Sequence, residues 1–395
     1  MPRKVAVVGT GQTVCVMRRE DASFPGMIYE AVNRALKDAE LTLADIDAIV
    51  FGSSPEYFEG VNHPEKWCGE ASGGFLKPQF RIHTGGTVGS STGIAGYYHV
   101  ASGLFDVVLA VTGDKLSEGP VQLCLSTVYD PIFGRDFACG APSAVAIQSR
   151  RYMHKYGITE VQAAKVAVKN RKNACNNPYA QLKFPDITVE MVLNSPVISS
   201  PLRMLDVCPA SDGACAMIFA CEEKAKKITK TPAWVKGVSA VAEGVNYVNR
   251  DWAEPIALIK AAKTAYSQAG ITDPRKEIDV AEIYEAFTYQ ELIWSEGLGF
   301  CGPGEGGKLI DEGVTEMTGE LPINPSGGVL STNTIGATAM MRQVEAALQV
   351  MGKAREVYEG KEYNRQVEGA KIALAHGWGG AIQFHNVMIL SSNPD

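Results

Sequence analysis

Three short runs hold the polar side chains best suited to acid–base and carbonyl chemistry. One is His376-Gly377-Trp378-Gly379-Gly380. A histidine at a strand end beside glycines can serve as a general base near neutral pH. The plainer reading is a histidine donating to a backbone carbonyl. The second run is Ser331 to Thr338, centred on Asn333. The Asn333 amide nitrogen can donate to an oxyanion, while its oxygen can cap the helix that follows. The third is Tyr284-Glu285-Ala286-Phe287, ending a strand. Tyr284 can donate through its hydroxyl to a ligand or sit in the core with that hydroxyl satisfied. Glu285 is suited to orienting a neighbour or a water. Turns at Gly86-Thr87, Ser326-Gly327 and Gly379-Gly380 offer backbone N–H groups to a ligand. Gly86, having no side chain, leaves room there.

Two other motifs carry less. Gly9-Thr10-Gly11 follows a strand like a dinucleotide loop, but the third glycine position is Val14, so a strand-end turn is the better reading. Gly89-Ser90-Ser91-Thr92-Gly93 matches a hydrolase pattern. That chemistry needs the serine on the strand-to-helix turn, and here the turn is Thr84–Thr87. Close helix packing is the better reading of those small residues.

The elements that position these runs come in two similar halves. Ala31, Ala35, Ala39 and Thr42 recur as Ala261, Ala265, Ala269 and Thr272, and Ile46-Asp47 recurs as Ile278-Asp279. Thr84-Gly85-Gly86 opens a helix in one half, and Ser326-Gly327-Gly328 is expected to do so in the other. Two α/β halves about a pseudo-twofold would turn paired helix N-termini toward one cleft. Residues 1–231 form the first half, with a loop domain at about 113–210, and 232–395 the second. Strands are expected at Lys4–Gly9, Ile46–Phe51, Gln79–His83, Asp106–Val111, Trp234–Val241, Ile278–Tyr284, Lys371–Ala375 and Ile382–Leu390. Helices are expected at Pro25–Ala39, Ala141–Tyr156, Thr159–Ala174, Pro255–Gly270 and Ile335–Met351, with another ending near Ser102. Alternation of strands and helices implies a mostly parallel, doubly wound arrangement in each half. The long loops Gly113–Cys139 and Gly297–Gly328 are expected to be functional.

Composition limits the partners. The chain has 395 residues, 46% hydrophobic and 21% charged, with a net charge of -7. An acidic balance without a basic block argues against nucleic acid. No apolar run approaches a membrane span. Nine cysteines without metal-ligand spacing or a secretory leader suggest reduced thiols in a cytoplasm and no metal site.

The Asn324-to-Gly328 and Ser331-to-Thr338 runs, Tyr284-Glu285-Ala286-Phe287, His376-to-Gly380, Val166–Arg171 and Ser211–Ala214 together resemble the thiolase superfamily over essentially the whole chain. The resemblance is greatest to sterol-carrier-protein-type thiolases. It implies a duplicated five-layer α-β-α-β-α fold and an acyltransferase that cleaves a β-ketoacyl-CoA with coenzyme A as substrate, with no bound cofactor. The family's nucleophilic cysteine falls on Gly86, its active-site histidine on Asn333 and its second catalytic cysteine on His376. The implied catalytic set is His376 as base, Asn333 as oxyanion donor, Tyr284 as donor to a developing enolate and Glu285 as an orienting group. Gly86, Thr87, Ser326, Gly327, Gly379 and Gly380 are the implied contacts for substrate and coenzyme A. With no cysteine at Gly86, coenzyme A thiolate, deprotonated by His376, would attack the keto carbon directly. A relocated Cys124, Cys139 or Cys301 is the variant. Tyr284 to Gly307 also resembles thiolase-like retro-aldolases that cleave β-hydroxyacyl-CoA, and an inactive scaffold or lipid-transfer subunit is a third reading. Relatives with altered sites imply a homodimer with a small zinc-ribbon/OB-fold subunit, an α2β2 assembly. Tyr129, Pro131, Phe133, Phe137, Trp294 and Phe300 suggest a bulky or aromatic acyl group, as in benzoylsuccinyl-CoA.

Overall fold

The computed structural model describes residues 3–54, 58–135, 140–244 and 250–395. Among these residues nine strands make up the main sheet. In the first half they are β1 (Val5–Gln12), β2 (Ala48–Gly52), β3 (Gln79–Ile82), β4 (Val107–Lys115) and β5 (Asp212–Cys221). In the second they are β6 (Ala233–Ala242), β7 (Val280–Glu282), β8 (Ile372–Gly379) and β9 (Phe384–Ser391). The order is β3-β2-β4-β5-β1-β6-β9-β8-β7. From the β1–β6 junction outward, β1-β5-β4-β2 is matched by β6-β9-β8-β7. A parallel bridge from Ala281 to Ile323 stands where β3 stands in the first half. Four helices complete the repeat: α1 (Phe24–Asp38), α2 (Val88–Ala101), α3 (Ile256–Ala269) and α4 (Thr338–Met351). α1 and α3 cover the outer faces, and α2 packs on α4 between the halves. All of α4 is buried, as a helix enclosed between two sheet layers must be. This is the expected five-layer fold.

The repeated residues do the same work twice. The Asp47 carboxylate accepts the N–H groups of Asp106 and Val107 at 2.8 and 2.9 Å, starting β4. Asp279 accepts those of Lys371 and Ile372, both at 2.8 Å, starting β8. The alanine stripes bring each outer helix against its sheet. A Cβ on Gly11 would lie 2.2 Å from the Ala31 carbonyl oxygen, and one on Gly237 would lie 2.2 Å from that of Ala265. Only small residues on both sides permit that approach.

Three expectations need correction. The halves are mixed rather than mostly parallel: β2 pairs in parallel with β3 and β4, and β7 with β8. The other five neighbouring pairs are antiparallel. The turn between β8 and β9 is too short for a crossover helix, so that pair must be a hairpin. β5 had no counterpart among the expected strands, although all of it is buried. Its Ala/Cys/Met-rich run, Asp212–Cys221, lacks the alternation and β-branching by which strands are read. Lastly, α4 opens at Thr338 rather than at Ile335 or at Ser326-Gly327-Gly328. Ile335 has φ +56°, a left-handed conformation that strains a β-branched residue and cannot continue a helix. Gly328–Ser331 is a single separate turn.

Gly89 bears out the close-packing reading of the small residues in α2. Its Cβ would meet the Met340 amide nitrogen at 2.6 Å and the Gly336 carbonyl oxygen at 2.8 Å, both on the α4 side. Gly89→Ala should therefore destabilise the fold by about 1–3 kcal/mol, read from a urea denaturation midpoint. Unchanged stability would mean that α2 and α4 can separate freely. Among the described residues no helix is long and apolar enough to cross a membrane. Among those same residues no group of three or more His, Cys, Asp or Glu is arranged to hold a metal ion.

Candidate active site

Where the strand ends of the two halves meet the start of α2, an open cleft has a volume of about 110 Å³. Its walls come from the segment after β4 (Leu116, Val121, Gln122, Leu125, Val128, Tyr129), from Ala141, Pro142, Ala144 and Val145, and from Val207–Ala210. Tyr284, Ala286, Phe287, Asn333 and Ile335 add the second-half strand end and loop, with Trp378–Gly380 and Ile382. None of these lining residues is charged.

Asn333 is the most tightly held polar group here. Its backbone N–H donates to Ser211 Oγ at 3.1 Å, and its carbonyl accepts the Ser211 N–H at 2.9 Å. Its Oδ1 accepts from Thr338 Oγ1 at 2.9 Å, Ile335 N–H at 3.1 Å and Tyr284 Oη at 3.3 Å. Its Nδ2 donates to Cys208 Sγ at 3.1 Å. The oxygen thus braces the start of α4, while the nitrogen is taken by Cys208 on the cleft wall. Tyr284 is buried, and burial pushes its phenol well above the usual range. It is a neutral donor. Its ring packs 5.6 Å from that of Trp378.

His376 is not on the cleft wall. It lies below Trp378 on β8, 1% exposed. Its Nδ1 accepts the Tyr284 backbone N–H at 3.4 Å, and its Nε2 lies 3.1 Å from His385 Nδ1. The two imidazoles stack at 5.4 Å, and Trp294 closes edge-on over His385 at 4.9 Å. Burial, then the neighbouring imidazole, holds His376 well below its ordinary value. Burial and the Arg250 charge lower His385 to about 3. A base role in the cleft is therefore not open to His376 in this arrangement. The pair has a stability consequence instead. Both imidazoles are held neutral, so the unfolded chain binds more protons below its own pKa near 6.5. The stability they contribute is full above that pH and drains away toward pH 3. His385→Gln should make stability fall less steeply between pH 6.5 and 3, measured as urea midpoints across that range. An unchanged slope would contradict it.

Glu285 lies beneath the site and not on its wall. Asn170, Asn324 and the N–H groups of Val329 and Leu330 all donate to it. Burial, then the nearby Glu291, pushes its carboxyl up to about 8. Through Val329 and Leu330 it is tied to the loop that carries Asn333. Ser326 is likewise structural: its hydroxyl donates to Glu282 at 2.7 Å and accepts from Arg342 at 2.6 Å. Gly327, with φ +93°, backs onto Ala174. Thr87 caps α2, and its hydroxyl donates to the Thr84 carbonyl at 2.7 Å. Of the six expected binding positions, Gly86, Gly379 and Gly380 line the cleft, and Thr87, Ser326 and Gly327 do not. Nor is Gly86 open space. A Cβ there would meet the Trp378 carbonyl oxygen at 3.1 Å and Gly379 Cα at 3.2 Å. The strand end of β8 lies close behind Gly86, and a side chain there would need it to shift by a few tenths of an ångström.

The cysteine candidates fare similarly. Cys124 packs in a small cluster with Phe58, Leu116 and Ile335, off the cleft wall. Burial pushes the Cys301 thiol up to about 12, and it too is off the wall. Cys139 and Phe137 lie outside the described residues. Among the described residues, the thiol that does line the cleft is Cys208. No motif flags it in the sequence, because the contact that brings it to Asn333 spans 125 positions. Among the aromatics, Tyr129 lines the cleft, Trp294 and Phe300 are core, and Phe133 is 77% exposed.

Comparisons with known proteins agree with this architecture. Residues 5–223 match the family model "Thiolase, N-terminal domain", and residues 240–392 match "Thiolase C-terminal domain-like". The chain is 36% identical over 385 residues to an acetyl-CoA acetyltransferase of Methanothermobacter thermautotrophicus, covering 96% of this chain and 97% of that one. It is 31% identical to sterol carrier protein 2 of Bos taurus, covering 96% of this chain and 71% of that protein. The solved "Ltp2-ChsH2(DUF35) aldolase" superposes with a TM-score of 0.83 at 28% identity, covering 99% of this chain and 98% of that one. The chain belongs to the thiolase family, and within it to the sterol-carrier-protein-2 type. Its class is that of a thiolase-type acyltransferase.

Proposed function

We propose that this protein cleaves a β-ketoacyl-CoA with coenzyme A to give two acyl-CoA products, without an acyl-enzyme at Gly86. The observation that carries this is the tightly backed glycine at the nucleophile position beside an intact amide donor at Asn333. Coenzyme A sulfur attacks the keto carbon directly. Asn333 Nδ2 stabilises the oxyanion that forms, and the C2–C3 bond then breaks to leave an enolate near the Tyr284 hydroxyl. Holding both reactants in one cleft can replace the covalent step, since orientation supplies about 7–11 kcal/mol in favourable cases. The backbone of Gly86, Gly379 and Gly380 gives the thioester a narrow, uncharged channel.

The uncharged walls and Tyr129 favour an aromatic or branched acyl group. The free carboxylate of benzoylsuccinyl-CoA would need a cation from beyond these walls. The likeness to the Ltp2–ChsH2(DUF35) complex supports a small partner subunit beside a homodimeric core, and a cytoplasmic site of action suits the reduced thiols. The same likeness favours a second reading, retro-aldol cleavage of a β-hydroxyacyl-CoA. Supplying β-hydroxyacyl-CoA and β-ketoacyl-CoA separately, with and without coenzyme A, distinguishes the two. The first reading predicts cleavage of the keto substrate alone, with free thiol consumed. Cleavage of the hydroxy substrate with no coenzyme A required would replace it with the second.

A further inference from the structure

Direct attack by coenzyme A leaves two needs unmet. The departing carbon requires a proton, and the coenzyme A thiol proton requires an acceptor. His376, beneath Trp378, reaches neither.

Cys208 stands on the cleft wall. Its backbone N–H donates to the Ala286 carbonyl at 2.9 Å, and Val207 bridges Phe287, so it is fixed beside the Tyr284–Phe287 strand end. Its Sγ accepts from Asn333 Nδ2 at 3.1 Å, and Asn333 Oδ1 accepts from Tyr284 Oη. Thiol, amide and phenol form one chain. A second observation places a ligand here. Trp378 lines the same cleft and is 8% exposed, yet its indole N–H has no acceptor among the described residues. One layer below, the Trp294 N–H donates to the Tyr284 carbonyl at 3.0 Å. A buried donor left unpaired is unfavourable in a folded protein, and in a cavity wall it marks where a ligand oxygen belongs.

We infer that Cys208 is the acid–base thiol of this cleft, protonating the departing enolate and accepting the thiol proton of coenzyme A. The inference rests on the thiolase reading above. Coenzyme A sulfur bonds to the keto carbon, the C2–C3 bond breaks, and its electron pair goes to C2. The Cys208 S–H bond breaks and its proton bonds to C2. Cys208 is left as thiolate and takes the thiol proton of the next coenzyme A, whose sulfur then opens the following turnover as thiolate, so no other reagent is consumed. Burial pushes the Cys208 thiol up to about 12, which keeps it an S–H acid at neutral pH rather than a standing nucleophile. The Asn333 N–H pulls the other way and steadies the thiolate once formed.

The test uses the full chain with 3-oxo-3-phenylpropionyl-CoA and coenzyme A, and separately with acetyl-CoA in D2O. Wild type should release benzoyl-CoA and acetyl-CoA, and should exchange the acetyl-CoA methyl protons for deuterium. Cys208→Ala should lose about a hundredfold in both reactions. Cys208→Ser, which keeps the volume and the folded state, should lose comparably. Thiolysis and exchange at wild-type rates in both variants would remove Cys208 from the mechanism and leave the thiolase reading standing. An acyl group on Cys208 in the intact mass would also overturn the inference, making the residue the nucleophile. Wild type unable to cleave the β-keto probe would instead sink the thiolase reading, and this inference with it.

Discussion

Replacing Asn333 by Ala should lower kcat for thiolysis by about 10²–10³-fold, the usual loss on removing one oxyanion donor. KM should change much less, because the donor acts most strongly where charge develops. The residue also braces the start of α4 through Oδ1. Asn333→Ala should therefore cost about 1–3 kcal/mol of stability as well. Asn333→Asp separates the two roles: it keeps acceptors for Ile335 and Thr338 but loses the donor. It should hold more of the stability than the alanine variant and still lose the rate. A variant with near-normal kcat would remove Asn333 from the chemistry.

The second large effect is expected at Arg342. This α4 side chain is buried and donates to Glu282 and to Ser326, tying the end of β7 to the loop that carries Asn333. Arg342→Met leaves the Glu282 carboxylate buried without its cation. Breaking a buried pair from one side costs about 3–5 kcal/mol, so the urea midpoint should fall steeply. Activity per folded molecule should fall too, since Tyr284 lies two residues beyond Glu282. A midpoint within error of wild type would mean that water or another cation compensates the carboxylate.

Much of the architecture is legible in the chain because repeated residues have repeated jobs. Asp47 and Asp279 start equivalent strands, and the alanine stripes mark equivalent helix–sheet contacts. β5 is not legible, because a strand enclosed on both faces needs no alternation. The start of α4 is misread because the strained Ile335 is held by Asn333 Oδ1 and by the Gly336 N–H bond to Asp114, contacts no local pattern announces. At the site, Asn333 and Tyr284 stand out by position within their loops. His376 sits at a plausible strand end, but whether its ring faces ligand or core depends on Trp378, Trp294 and His385 packing around it. Cys208 is hidden for the converse reason: it lies in an unremarkable loop, and only the tertiary fold brings it to Asn333.

The most direct test of the central claim is mass-spectrometric product analysis of the purified protein, alone and with a candidate partner subunit, given an aromatic β-ketoacyl-CoA and free coenzyme A. The account predicts two acyl-CoA products, one coenzyme A consumed per turnover, and no acylated protein in the intact mass. Cleavage that consumes no coenzyme A, or no cleavage in either preparation, would contradict it.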